Sequence, residues 1–246
     1  ATASMSGRRS PLTIVGPAAL ERMIDTIRMT SDTRFAFALN FVDVAKCTTK
    51  ITTSCFLVEP VKLSHRVPSY GYAFTEGHIP RALDVAQLEA DGVPRGRLWG
   101  QLQRGDNITL PDGRSLQADD YLRVPRAPRR VIVGGDNDKP ELLAAAAETA
   151  HVLVHEATYT QDIADKIGPG PQHSTAGAVA AFAEEAGLKN LVLTHFSPRY
   201  QDDHEASPSI ADVEAEARSR YSGRLFMARD FAVFHLDKHG ELSEEV

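Results

Sequence analysis

The chain has 246 residues, a net charge of −6 (27 Lys and Arg against 33 Asp and Glu) and 42% apolar residues, an ordinary soluble-globular composition. That length allows one large α/β domain, or a domain with an insertion, around a substantial core. No apolar run approaches the roughly 18 residues needed to span a membrane and no secretory signal opens the chain, so the default compartment is the cytoplasm; the acidic balance argues against a general nucleic-acid binder but leaves room for a local basic patch.

In chain order, the opening ATASMSGRRSP carries no initiating methionine and reads as the tail of a helix plus a loop. Residues 12–15 (LTIV) read as a strand. They are followed by Gly16-Pro17 and by AALERMIDTIRM, where Leu20, Met23, Ile24 and Ile27 share one helical face. FAFALNFVDV (35–44) and KITTSCFLVEPVKL (50–63) are rich in β-branched and aromatic residues and read as strands, leading into SHRVPSYGYAF. Cys47 and Cys55 have no CxxC spacing and no Cys/His cluster beside them, so they read as buried or half-buried thiols, not as a disulfide or a zinc knuckle.

From residue 76 to 127 Pro, Gly and charge dominate, and the segment reads as an inserted, partly extended arm. Its Arg95, Arg97, Arg104 and Arg114 are interspersed with acids, as on a solvated surface. The core is thus assigned to residues 1–75 and 128–246. After the arm an α/β rhythm returns: RVIVGGD (130–136), the helix PELLAAAAETA, HVLVHEA (151–157), a helix from Ser174 to Gly187 with Ser174 as N-cap, LVLTHF, a helix over 210–221, and closing strands in RLFMARDFAVFHL (224–236).

Strand after strand ends in an ionisable residue: His65 after VKLS, Asp136 after VIVGG, His155 and Glu156 after VLV, His195 after LVLT. In open α/β architectures ligands bind beyond the carboxyl ends of strands, and imidazole with carboxylate suits a divalent transition metal. A single strand-end His is more often a satisfied structural group, and an Asp after Gly-Gly is more often a turn former. Four such ends together point to a metal or acid/base cleft, and spacing alone carries the reading no further.

The ordered motifs HRVPSYGY, GVPRGRLWGQLQRG with ITLPDGR, VIVGGDN, LVHEATY, HSTAG and LTHFSPRY resemble the ribonuclease Z family, the tRNA 3′-end endonucleases of the metallo-β-lactamase fold. The resemblance runs from LTIVGP to Asp230-Phe231. It implies an αββα sandwich with an inserted tRNA-binding arm, a zinc-dependent endoribonuclease, two zinc ions per active site and a homodimer. It makes His65 and His195 metal ligands and Asp136 the bridging aspartate, with Gly-Gly-Asp-Asn here in place of the usual Ser-Gly-Asp-Thr. It also makes His173 the residue that acts on the leaving group, with Glu156 orienting it. Ser174 and Thr175 are placed to meet a phosphate, with helix capping as their other reading. Arg199 is placed to meet RNA phosphate or to make a surface ion pair. The arm would grip the tRNA elbow by shape and backbone, although the family's Gly-Pro within it is here Gly96-Arg97.

One hallmark is missing from the 246 residues: the His-x-His-x-Asp-His segment that supplies most ligands of both metals in the family. His78, His151, His204, His235 and His239 are scattered and cannot reproduce it. The expectation is therefore an N-terminally incomplete form of the fold, part of a longer ribonuclease Z. Such a chain should bind metal weakly or singly, be inactive by itself, and expose apolar surface. Two other classes remain: a metallo-β-lactamase-fold hydrolase of a small ester or phosphodiester, which needs no arm, and a non-catalytic RNA-binding remnant, which needs no metal.

Overall fold

Short runs of strand formers build one seven-stranded sheet, in the order Arg224–Met227, Asn190–Thr194, Val152–Glu156, Arg130–Val133, Tyr70–Glu76, Phe56–Lys62 and Ile51–Thr52. The structure is a computed structural model that describes residues 2–203 and 205–245, so His204 lies outside the described residues. The first four strands are parallel. The remaining three pair antiparallel. Two successive antiparallel pairings give Phe56–Lys62 the same direction as Arg130–Val133, so the segments leaving five of the strands emerge along one edge.

The register aligns Ala73, Ile132, Leu153, Leu191 and Leu225 in a single buried row. That row packs against the helices Ala176–Glu185 and Ile210–Arg218, whose Ala180, Ala183 and Ala217 let them approach closely. On the opposite face Val131, Val152, Val154 and Val192 meet Phe234, Leu236 and Leu242 of the hairpin Val233–Leu236/Leu242–Glu245. Strands covered on both sides read as unbroken apolar runs, which is why VLV and LVL carry no alternation. Truncating Leu153, fully buried in the first row, to Ala should cost about 2–5 kcal/mol.

Several elements depart from the sequence reading, each for a local reason. Of residues 35–44 only Leu39–Asp43 is a strand, paired in parallel with Leu12–Gly16 in a separate two-stranded sheet. Phe35 and Phe37 instead pack on each other, with the Arg28 and Arg8 guanidinium groups over their rings. Residues 50–63 divide into Ile51–Thr52 and Phe56–Lys62, because the Thr53 hydroxyl accepts the Cys55 and Phe56 amides and closes a turn. The helix Ala18–Thr30 forms as expected but buries no residue, leaving Met23 and Ile27 59% and 51% exposed.

Composition suggests an extended arm, yet residues 82–123 fold on themselves. Three short helices, Val85–Ala90, Arg97–Gln103 and Ala118–Tyr121, and two small ladders surround Leu88, Val93, Leu102, Ile108, Leu110 and Tyr121, an apolar cluster separate from the main core. The polar and Gly/Pro residues that dominate the composition are the turns between sparse apolar positions, and nearly all of those positions are used. At the base, the Glu76 carboxylate accepts from the Arg126 and Arg129 side chains and from the Arg129 amide, joining the outgoing and returning chain.

Candidate metal centre and active site

The common strand edge brings His65, Asp136, Glu156, His173 and His195 into one cluster. Asp136 sits at its middle: Oδ2 lies 3.6 Å from His65 Nε2 and Oδ1 lies 3.7 Å from His195 Nε2. These separations are too long for hydrogen bonds. Two donors sharing a tetrahedral cation at bond lengths of ~2.0–2.1 Å lie roughly 3.4 Å apart, which is close to both spacings. The His173 ring stands between the other two imidazoles, with centroids 5.0 Å from His65 and 5.2 Å from His195. Donor atoms of His65, Asp136 and His173 lie within 4.8 Å of one another, as do those of Glu156, His173 and His195.

Hydrogen bonds on the far side of each ring fix its tautomer. His65 Nδ1–H donates to the Gln172 carbonyl at 2.9 Å, His173 Nδ1–H to Glu156 Oε1 at 2.8 Å, and His195 Nδ1–H to the Thr158 hydroxyl at 2.9 Å. Each neutral imidazole with Nδ1 protonated presents a lone pair at Nε2. For His65 and His195 those lone pairs face the Asp136 carboxylate. Such far-side partners orient metal-binding histidines and raise their basicity. The donor set therefore fits a divalent transition metal.

Backbone geometry aims these groups. His195 and Gln172 both adopt left-handed backbone, with φ of 58° and 57°, which turns the His195 ring back over the cleft and points the Gln172 carbonyl at His65. Gly135 precedes Asp136 because the loop there presses on the neighbouring strand: a Cβ would lie 2.8 Å from Ser69 Oγ and 2.9 Å from the Tyr70 carbonyl.

Below the cluster, Glu156 is 2% exposed and accepts from His173, from the Asn137 amide at 2.7 Å and from the Thr158 hydroxyl. His155, on the adjacent position, faces away from the cleft. It is fully buried, donates from Nδ1 to the Glu156 carbonyl and accepts at Nε2 from the Asn137 amide group, and burial pushes its pKa down. It is a structural group. Ser174 and Thr175 are also buried: the Ser174 hydroxyl donates to the Asn137 carbonyl at 2.6 Å, and the Thr175 hydroxyl caps the helix Ala176–Glu185 by accepting the Ala178 amide. The N-cap is therefore Thr175, one residue later than the sequence reading, because Ser174 is drawn to the Asp136 loop. Arg199 is exposed, touches Ser197 Oγ, and pairs with no carboxylate among the described residues.

Sequence reasoning missed Thr158, Asn137 and Gln172, the second layer of the site. Thr158 and Asn137 lie inside the quoted LVHEATY and VIVGGDN, so their position was in view, but only three-dimensional packing reveals their partners. Beside His173 opens a cleft of about 400 Å³, lined by Tyr159, Gln161, Pro169, Pro171 and Gln172. His151 lies at the opposite strand edge, where its ring accepts the Arg130 amide, and His78, His235 and His239 are exposed and outside the cluster.

No family model matches the chain. It is 48% identical over 241 residues to a ribonuclease Z of Marinobacter nauticus, covering 98% of this chain and 75% of that one. It is 49% identical over 248 residues to a ribonuclease Z of Pseudomonas putida, with the same coverage. A ribonuclease Z of Lactiplantibacillus plantarum is 36% identical over 197 residues, 80% of this chain and 63% of its own. Among solved structures, the metallo-β-lactamase fold protein YhfI of Bacillus subtilis aligns over 99% of this chain and 69% of its own at a TM-score of 0.56 and 16% identity. Human tRNase Z, short form, aligns over 94% and 69% at 0.54 and 21% identity. These likenesses place the sheet and its helices in the metallo-β-lactamase fold, and with relatives near one-half identity along almost its whole length, the chain belongs to the ribonuclease Z family.

Proposed function

We propose that this chain carries the metal-bridging and leaving-group half of a tRNA 3′-end endoribonuclease site, together with the arm that holds the tRNA. The carrying observation is the Asp136 carboxylate, which presents one oxygen toward His65 and the other toward His195. In this reading His65, Asp136 and His195 are the residues that would hold zinc, the Asp136 carboxylate facing both imidazoles. Zinc, when bound, supplies an activated water and neutralises charge on the phosphodiester. His173, held through Nδ1 by buried Glu156, keeps Nε2 toward the cleft; after taking up a proton there from solvent, as an imidazolium paired with the Glu156 carboxylate, it would pass that proton to the departing 3′-oxygen. Exposed Arg199 contacts RNA phosphate, while the Ser174 and Thr175 hydroxyls, engaged by the Asn137 carbonyl and the Ala178 amide, serve the loop and the helix cap. Residues 76–127 form the tRNA-gripping arm of a homodimeric, cytoplasmic enzyme.

Each metal position receives only two protein ligands from His65, Asp136 and His195, against the three that catalytic zinc sites keep. The 246 residues therefore bind zinc weakly and do not cleave precursor tRNA rapidly by themselves. The test is binding and cleavage of a labelled precursor tRNA with zinc present, in the full chain and in a deletion of residues 78–125. Tight binding lost on deletion, with little or no cleavage, supports the reading. Affinity that survives the deletion removes the arm from it, and rapid cleavage of a small phosphodiester with no tRNA binding favours the alternative hydrolase.

A further inference from the structure

Asn137 follows the central aspartate in the chain and is fully buried, with every polar group it owns engaged. Its side-chain Oδ1 accepts the Ser64 amide at 3.1 Å and the Lys139 amide at 3.2 Å. Its Nδ2 lies 3.1 Å from His155 Nε2, and its backbone N–H donates to Glu156 Oε1 at 2.7 Å. Its carbonyl accepts the Ser174 hydroxyl at 2.6 Å.

The orientation of the amide follows from its partners. Two backbone N–H groups require an acceptor on one side. His155, whose Nδ1–H is spent on the Glu156 carbonyl, requires a donor on the other. Among uncharged side chains of this size, only an amide meets both. Ala meets neither, and Thr has one hydroxyl that cannot reach both sides at once.

Every partner but Lys139 is the chain neighbour of a group in the cleft, or is itself one. Ser64 precedes His65, Ser174 follows His173, Glu156 holds His173, and Asn137 itself follows Asp136. We propose that Asn137 is a positioning residue that sets the spacing of Asp136 against His65 and His173, and through that spacing the affinity and geometry of the metal site. This rests on the metal reading given above.

The experiment compares the full chain with Asn137→Ala, Asn137→Thr and Asn190→Ala. Asn190 is also fully buried, but it pins the C-terminal hairpin through the His151 and Gly240 carbonyls and the Leu242 amide, far from the cleft. It reports what general loosening of the core does. Zinc affinity is measured by competition with a chromophoric chelator, and the visible spectrum of the Co(II)-loaded protein is recorded, both well below the melting temperature of every variant. Asn137→Ala should weaken zinc binding at least tenfold and alter the cobalt spectrum. Asn137→Thr should fall between Ala and the parent, and serves if the Ala variant does not fold. Asn190→Ala should stay within twofold of the parent despite a lowered melting temperature. Parent-like affinity and spectrum in a folded Asn137 variant overturn the proposal, as does an equal loss in Asn190→Ala. A parent chain that binds neither metal overturns the metal reading and this proposal with it.

Discussion

At the scale of single residues, the site depends on strain and on second partners. A non-glycine residue held in left-handed backbone costs on the order of 1 kcal/mol, and His195 at φ 58° is kept there by its ring N–H, which donates to the Thr158 hydroxyl, whose own proton goes to the Glu156 carboxylate. Thr158→Val removes both contacts while keeping the shape, so zinc affinity should fall about 10–100-fold with little change in fold, as read by chelator competition and circular dichroism. Asp136→Ala removes the group that faces both histidines and should abolish specific metal binding. Buried His155 gives a pH signature. Its folded-state pKa is depressed by burial, and that of His151 is too, so both rings resist protonation when folded. The unfolded chain takes up these protons from pH ~6.5 downward. Their contribution to stability is therefore complete above about pH 6.5 and is lost as pH falls toward the folded values. The melting temperature should drop between pH 7.5 and 5.5, and one that holds steady would contradict this account. These second-layer roles were the least legible in the sequence. An Asn beside an Asp or a Thr after Glu-Ala looks like ordinary loop composition until the partners are seen.

At the scale of elements, the strand ends were readable because each parallel strand is a short apolar run that stops on a charged or imidazole side chain. LVLTH shows the pattern plainly. The helix start at Ala176 was placed one residue early because Ser174 and Thr175 are equally good caps, and only the Asn137 carbonyl decides between them. The inserted segment reads as partly extended because its apolar residues are too sparse to show a period, although Leu88, Leu102 and Tyr121 build a core of their own. A unit with its own core should be removable: deleting residues 78–125 should leave the melting temperature of the remaining protein largely intact while tRNA affinity is lost. At the junction, the arginines around Glu76 hold its carboxyl well below the usual carboxylate range. Glu76→Gln should therefore destabilise the folded protein by about 2 kcal/mol, since the mostly buried carboxylate accepts charge-assisted bonds from two guanidinium groups. Chemical denaturation at pH 7 measures this directly. The stabilisation should fade as pH falls below about 4.3, where the unfolded carboxyl takes up its proton.

At the scale of the whole molecule, one edge of one sheet collects the chemistry, while the separately packed insert leaves and re-enters the sheet at the opposite edge, between Glu76 and Arg130. With a net charge of −6, the phosphate binding proposed above would have to come from local groups such as Arg199. Precursor-tRNA binding should accordingly weaken with added salt, but by a slope corresponding to a few phosphate contacts, measurable by filter binding across a salt series. The partly uncovered helix face of Met23 and Ile27 adds exposed apolar surface at the other end of the chain. Fold and cleft were legible because strand ends and ordered motifs are local signals. The donor types that suit a metal were legible too, in the strand-end His and Asp residues, whereas the convergence of His173 and Glu156 on them is seen only in three dimensions.

The most direct measurement is the zinc content of the purified 246-residue chain, by elemental analysis at neutral pH without chelator or added metal, alongside Asp136→Ala. With two protein ligands per metal position, the account predicts a fractional zinc content in the parent and none in the variant. Equal zinc in parent and variant, or none in the parent even after zinc is supplied, would contradict the assignment of Asp136 as the bridging carboxylate of the site.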